Sequence, residues 1–132
     1  MYPSMRLRLK FGELVGFDRE ILLDAERFSA KLRDKKIKAM FVTVALFNLL
    51  TKQKIDTFAG VDTVLFGGEA GDPNQIRNVL KGLNGKAAPK RLVNGYGPTE
   101  NTTFSTYYHV KSLDDLATNV PIGMPVANST AF

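Results

Sequence analysis

Apolar residues recur along the chain at two spacings, and together they predict alternating strands and helices. After Asp24, a good helix N-cap, Ala25, Phe28, Ser29 and Leu32 fall on one helical face, while Glu26, Arg27, Lys31, Arg33 and Asp34 take the other. Lys35-Lys36 suits the C-terminal end of that helix dipole. Ala39-Met40-Phe41-Val42 reads as a short buried strand, and Thr43 caps a second helix whose apolar side is Leu46, Phe47, Leu49 and Leu50. Ile55 to Gly60 is a connecting turn, and Thr63 to Phe66 is a strand ended by Gly67-Gly68. Asp72-Pro73 starts a third helix, with Ile76, Val79, Leu80 and Leu83 as its buried face and Asn84-Gly85 as its stop. Lys90 to Val93 and Thr103 to Val110 read as further strands, Ser112 to Thr118 as a helical turn or loop, and Val126 to Phe132 as a final strand.

This alternation predicts an α/β fold of parallel βαβ units with right-handed crossovers. In such a sheet the strand-to-helix junction at Thr43 is an expected ligand position. The N-terminal end fits less well. Met1 to Lys10 alternates basic and apolar residues, as an edge strand or a disordered segment would. Leu14-Val15-Gly16 reads as a short strand, with Asp18 a turn residue after it.

Composition narrows the function classes. The chain has 132 residues, 44% hydrophobic and 23% charged, enough for one modest domain with a core. No apolar run is long enough to span a bilayer, no signal-peptide pattern opens the chain, and no membrane partner is expected. Cysteine is absent, which excludes disulfides and thiol chemistry and fits a cytoplasmic location. The single histidine, His109, excludes a multi-histidine metal site. The net charge of +5 is moderate and scattered, which reads as a solvated face and not as nucleic-acid binding.

The stretch richest in chemistry is Asn94-Gly95-Tyr96-Gly97-Pro98-Thr99-Glu100-Asn101-Thr102-Thr103, read as one tight loop after Arg91-Leu92-Val93. Its glycines and proline can hold an aromatic face for a planar base, a hydroxyl for a phosphate oxygen and a carboxylate for magnesium. The same residue types also make ordinary turns.

Three stretches together resemble a known family. Asn94 to Glu100 is similar to the N-x-Y-G-P-T-E motif of amino-acid adenylation domains in non-ribosomal peptide synthetases. Val64-Leu65-Phe66-Gly67-Gly68-Glu69-Ala70 resembles that family's strand and glycine turn upstream. Val120-Pro121-Ile122-Gly123-Met124-Pro125-Val126-Ala127-Asn128-Ser129 resembles its P-I-G-x-P-x-x-N-T motif, with Ser129 where Thr is commoner. The resemblance divides the chain into an unmatched segment, residues 1–13, and a partial adenylation domain, residues 14–132. It implies a mostly parallel sheet with flanking helices, part of the large N-terminal domain of adenylate-forming enzymes.

The resemblance also assigns roles. Tyr96 would stack on adenine, Asn94 would lie near its amino group, and Gly67, Gly68, Glu69 and Ala70 would border adenine and substrate. Thr99 would contact the α-phosphate of ATP, and Glu100 would help hold Mg2+. The amino-acid pocket falls on Phe41, Leu65, Gly67, Gly95, Thr103 and Phe104. Without a charged partner there, it implies an aliphatic substrate such as Val, Ile or Leu. Implied partners are the amino acid, a carrier domain with its phosphopantetheine arm, and a condensation domain.

Other family features find no counterpart. Phe17-Asp18-Arg19-Glu20 has Glu20 where the amino-group motif needs a hydroxyl, so Asp18 is not given that role. There is no Ser/Thr/Gly-rich phosphate loop with its lysine, no ribose-binding aspartate and no catalytic lysine domain. These 132 residues therefore read as an excerpt, a truncation or a frame-disturbed gene, and as inactive alone. Rival readings are part of an acyl- or aryl-CoA ligase, or a non-catalytic nucleotide-binding module. The adenylation reading requires Tyr96 and Glu100 to share a cleft at the carboxyl edge of parallel strands.

Overall fold

Capping residues set the helix starts. The computed structural model describes residues 8–9, 12–98 and 104–127. A small antiparallel pair, β1 (Arg8–Leu9) and β2 (Gly12–Glu13), forms its own sheet ahead of a one-turn helix, α1 (Arg19–Leu22). Asp24 Oδ1 accepts from the Arg27 N–H at 3.1 Å and opens α2 (Ala25–Asp34). Thr43, the last residue of β3 (Ala39–Thr43), accepts from the Leu46 N–H at 3.2 Å and opens α3 (Val44–Gln53). Asp72 accepts from the Asn74 and Gln75 N–H groups at 2.9 and 3.4 Å and opens α4 (Pro73–Gly85). Each cap occupies N–H groups that have no partner inside the helix.

α2 buries Ala25, Phe28, Ser29 and Leu32, the expected face. α3 is rotated from expectation. Val44, Phe47, Leu50 and Thr51 are buried, Leu46 is half-buried and Leu49 is exposed. Residues 46–50 are too uniformly apolar to mark a face by themselves. Thr51 joins the core because its hydroxyl donates to the Phe47 carbonyl at 2.7 Å and accepts from Gln75 Nε2 at 2.8 Å. α4 buries Ile76 and Val79, but Leu83 is 56% exposed. The regular helix stops first: Gly82 is extended (ψ 143°), and Leu83 and Asn84 are left-handed at φ 51° and 57°.

The main sheet has the order β3-β4-β5-β6-β7, with β4 at Thr63–Gly67, β5 at Arg91–Tyr96, β6 at Thr106–His109 and β7 at Met124–Pro125. β3, β4 and β5 run parallel, in a register that aligns Val42, Phe66 and Asn94, and then Thr43, Gly67 and Gly95. β6 and β7 are antiparallel, so the βαβ alternation ends at β5. The cause is connection length. The stretch from Tyr96 to Thr106 is shorter than the crossover of a dozen residues or more that parallel neighbours need.

Four strand expectations change. Leu14 to Gly16 is not a strand; α1 begins soon after, with Asp18 at its N-cap position. β3 buries only Val42, because it is an edge strand with helices on one face. Asn94 to Tyr96 belong to β5 and not to the loop, and β6 starts at Thr106. The last strand among the described residues is Met124–Pro125; Val126 and Ala127 lie beyond it, and residues 128–132 of the expected strand lie outside the described residues.

Strand alternation divides the sheet's side chains between two faces. Val42, Val64, Phe66 and Leu92 are buried in the core with residues from α2, α3 and α4. Aromatic rings link that core in a chain. Phe17 meets Phe28 at 5.2 Å, Phe28 meets Phe58 at 6.1 Å, Phe58 stacks on Phe47 at 5.5 Å, and Phe47 stacks on Phe66 at 5.5 Å. Phe41, Leu65 and Val93 alternate with the core residues and point to the opposite face, where Phe41 is 47% exposed. Among the described residues, no helix is long and apolar enough to cross a membrane.

Candidate functional site

β4 and β5 end side by side, with Gly67 paired to Gly95. A cleft of about 550 Å³ opens there, within the range of small-molecule sites. Gly68, Glu69, Ala70 and Gly71 form one wall, leading into the Asp72 cap of α4. Asn94, Gly95, Tyr96 and Gly97 form the floor, and Asn119, Val120, Pro121 and Ile122 form the other wall. The β3–α3 junction contributes no residue, because the cleft opens one strand further along the sheet.

Asn94 ties floor to wall. It is 5% exposed, and its Nδ2 donates to the Pro121 carbonyl at 2.9 Å. A carbonyl only accepts, so the nitrogen must face Pro121 and Oδ1 must turn the other way. Tyr96, two residues on along the same face of β5, is 55% exposed. An aromatic ring this open offers a free face to a planar ligand. The second wall is fastened behind by the Val126 N–H donating to the Ser105 carbonyl at 3.0 Å. Gly123 presses on the Tyr107 carbonyl at φ 76°; a Cβ there would collide with backbone.

The predicted residues separate into three groups. Gly68, Glu69, Ala70, Asn94, Gly95 and Tyr96 line the cleft. Phe41 and Leu65 lie on the sheet face away from the helices, with Gly67 and Gly95 paired between strands on that side. Phe104 covers these glycines: a Cβ on Gly95 would stand 2.8 Å from its ring, and one on Gly67 would stand 3.1 Å away. Phe104 also meets Phe41 at 5.5 Å, so Phe41, Leu65, Gly67, Gly95 and Phe104 of the assigned amino-acid pocket share one face. Thr99, Glu100 and Thr103 lie outside the described residues. The required parallel surroundings hold for β4 and β5 but not for β6.

Gly71 and Asn119 were not expected in the site; their only signal is adjacency to matched motifs. Pro121 and Ile122 were within a matched motif that carried no assigned role. For ATP, the glycine-lined floor, the open Tyr96 ring and the amide of Asn94 make a fitting set. Among the described residues, no three His, Asp or Glu side chains converge on a metal position. The magnesium assignment rests on Glu100.

Residues 9–132 match the AMP-binding enzyme family. The chain belongs to that family. Surfactin synthase subunit 3 of Bacillus subtilis (strain 168) is 37% identical over 131 residues, covering 99% of this chain and 10% of that protein. Gramicidin S synthase 2 of Brevibacillus brevis is 40% identical over 122 residues, covering 92% of this chain and 3% of that protein. The chain thus spans a small part of the relatives it matches. Among solved structures, PA1221, a non-ribosomal peptide synthetase protein containing adenylation and PCP domains, is 31% identical with a TM-score of 0.67. That match covers 80% of this chain and 20% of PA1221. The N-terminal subdomain of Klebsiella oxytoca NpsA in complex with 3-hydroxybenzoyl-AMSN is 25% identical with a TM-score of 0.66, covering 86% of this chain and 27% of that one. The α/β sheet therefore matches the N-terminal portion of adenylation domains.

Proposed function

We propose that these residues form the nucleotide-binding part of an amino-acid adenylation domain in a non-ribosomal peptide synthetase. The cleft would hold ATP, with Tyr96 stacked on adenine, Asn94 Oδ1 accepting from its amino group, and residues 68–70 along its edge. Thr99 would meet the α-phosphate and Glu100 would hold Mg2+, which neutralises phosphate charge when bound. The observation that carries this reading is that three separated stretches meet around one cleft: 68–71, 94–97 and 119–122.

The apolar side of the paired glycines supports an aliphatic amino-acid substrate, since an ionic side chain would find no partner beside Phe41, Leu65 and Phe104. The aminoacyl product would pass to a carrier domain bearing phosphopantetheine. The resemblance also implies a condensation-domain neighbour and a cytoplasmic setting. These 132 residues alone are expected to bind nucleotide weakly and not to turn over, because they carry no phosphate-loop lysine.

Titration of the chain with ATP and Mg2+, followed by tyrosine fluorescence, tests the binding. Saturable quenching that Tyr96→Ala abolishes is the expected result. Quenching that persists in Tyr96→Ala, or none at all, overturns the adenine assignment. Amino-acid-dependent pyrophosphate exchange by the isolated chain would overturn the expectation of inactivity.

A further inference from the structure

We propose that Arg77 is a positioning residue for this cleft: from the middle of α4 it holds the turn at residues 114–117, and so fixes where the wall at 119–122 stands. The proposal rests on the nucleotide reading above for its ligand, though not for its mechanics.

The two cleft walls are far apart in sequence, yet both depend on α4. The first wall, 68–71, runs directly into the Asp72 cap that starts the helix. The second is reached through Arg77. Its Nη1 donates to the Asp114 carbonyl at 2.6 Å and to the Ala117 carbonyl at 3.2 Å. Its Nη2 donates to Asn74 Oδ1 at 2.8 Å, which orients the guanidinium from one turn earlier on the helix.

The gripped segment has a shape of its own. The Ala117 N–H donates to the Asp114 carbonyl at 3.0 Å, and the Leu116 N–H donates to Asp114 Oδ1 at 2.7 Å. Leu116 is 89% exposed, so packing does not hold the tip of this turn. Two residues past Ala117 the cleft wall begins, and at Pro121 the Asn94 amide takes hold. The stretch between is thus suspended from Arg77 on one side and Asn94 on the other, with Val120 buried between them.

A planar fork suits this task. One guanidinium serves two carbonyls and a side-chain amide at fixed angles, whereas an ammonium is a single point donor. Lys81, one turn further along α4, pairs with Asp115 at 2.6 Å, but both side chains are mostly exposed and such a pair holds weakly. Arg77 touches neither floor nor ligand position, so it acts only through the wall.

Amide hydrogen exchange on the chain, alongside Mg·ATP titration, separates the outcomes. In Arg77→Met, amides between 114 and 122 should exchange about tenfold faster or more, while those of β4 and β5 stay unchanged. Arg77→Gln, a milder change, should show the same local pattern if Arg77→Met folds poorly. ATP affinity should fall about tenfold in Arg77→Met and recover in part in Arg77→Lys. Lys81→Met should change either readout by no more than about twofold. Unchanged exchange at 114–122, or protection lost evenly across the sheet, would overturn the proposal. So would a loosened wall with ATP affinity intact. If the unaltered chain takes no ATP, the nucleotide reading fails, and the exchange pattern alone decides whether Arg77 holds the wall.

Discussion

The parallel half of the sheet and the strap that follows β6 are held by different physics. β3, β4 and β5 are sealed by α2, α3 and α4 through fully buried side chains, Phe28, Phe47, Phe58 and Phe66 among them. Residues 111–127 bury Val120, rest Leu113 partly against the core, and are otherwise fastened by the short β6–β7 pairing and a few directed bonds to Arg77, Asn94 and the Ser105 carbonyl. Burial is non-directional and adds up over area, so it decides where the strand ends meet. Hydrogen bonds are directional and individually modest, so they decide how far apart the cleft walls stand. A change in the first region should unfold the chain, and one in the second should disturb the cleft and leave the core folded.

The largest expected effect is Phe66→Ala. The ring is 0% exposed and stacks on Phe47 at 5.5 Å, so truncation leaves a buried cavity at the end of the aromatic chain. A loss of about 3–5 kcal/mol is expected, read as a lower urea midpoint. A midpoint that barely moved would mean that burial is not what holds the parallel half together. Next comes Gly123→Ala, in the strap. The residue is at φ 76°, and an added Cβ meets the Tyr107 carbonyl, so the backbone must shift. A cost of about 1–3 kcal/mol is expected, concentrated as faster exchange at 120–126. Equal loosening of β4 would show that strap and core form a single cooperative unit, against the contrast drawn here.

The two regions were also unequally legible in the sequence. Caps and amphipathic faces reach only a few residues along the chain, so Asp24, Thr43 and Asp72 announced their helices, and α2 its buried face. Leu49 and Leu83 misled because apolar character alone does not say which way a residue turns. Thr51 displaced Leu49 through hydrogen bonds to Phe47 and Gln75, and Leu83 follows the break at Gly82. The reversal of β6 depended on the short stretch between Tyr96 and Thr106, a feature visible in the chain yet outweighed by the preceding alternation. In the cleft, the motifs marked 68–70 and 94–96, but nothing marked Arg77. Its partners are the carbonyls of residues 37 and 40 positions away, and carbonyls leave no trace in side-chain pattern.

A smaller effect is expected at Tyr96. The ring is 55% exposed on the cleft floor, so Tyr96→Ala should leave stability within about 0.5 kcal/mol of the unaltered chain. Its effect should appear in ligand affinity, at about 1 kcal/mol for a lost stacking partner. Calorimetric titration with Mg·ATP beside a thermal melt separates the two. A melt that falls with the affinity unchanged would move Tyr96 from the functional side of the comparison to the structural side.

The smallest effect concerns acid. Asp115 is held below the usual aspartate range, first by the hydrogen bond from Lys81 and then by that lysine's charge. A carboxyl whose folded value is depressed contributes stability above its unfolded value, about 3.9, and that contribution disappears as pH falls through the folded value. The Lys81–Asp115 clip should therefore be constant from neutral pH down to about 4 and weaken below that. Protection factors at 114–117 should follow this course, and Asp115→Asn should remove it while leaving Arg77's bonds to the Asp114 and Ala117 carbonyls in place. Asp62 is an internal control at the opposite end of the sheet. Its carboxyl is likewise depressed, chiefly by the Lys90 hydrogen bond, so acid loosens the start of β4 as well. If Asp115→Asn changes exchange near Thr63, or if 114–117 loosens well above pH 4, the strap is not fastened separately from the core.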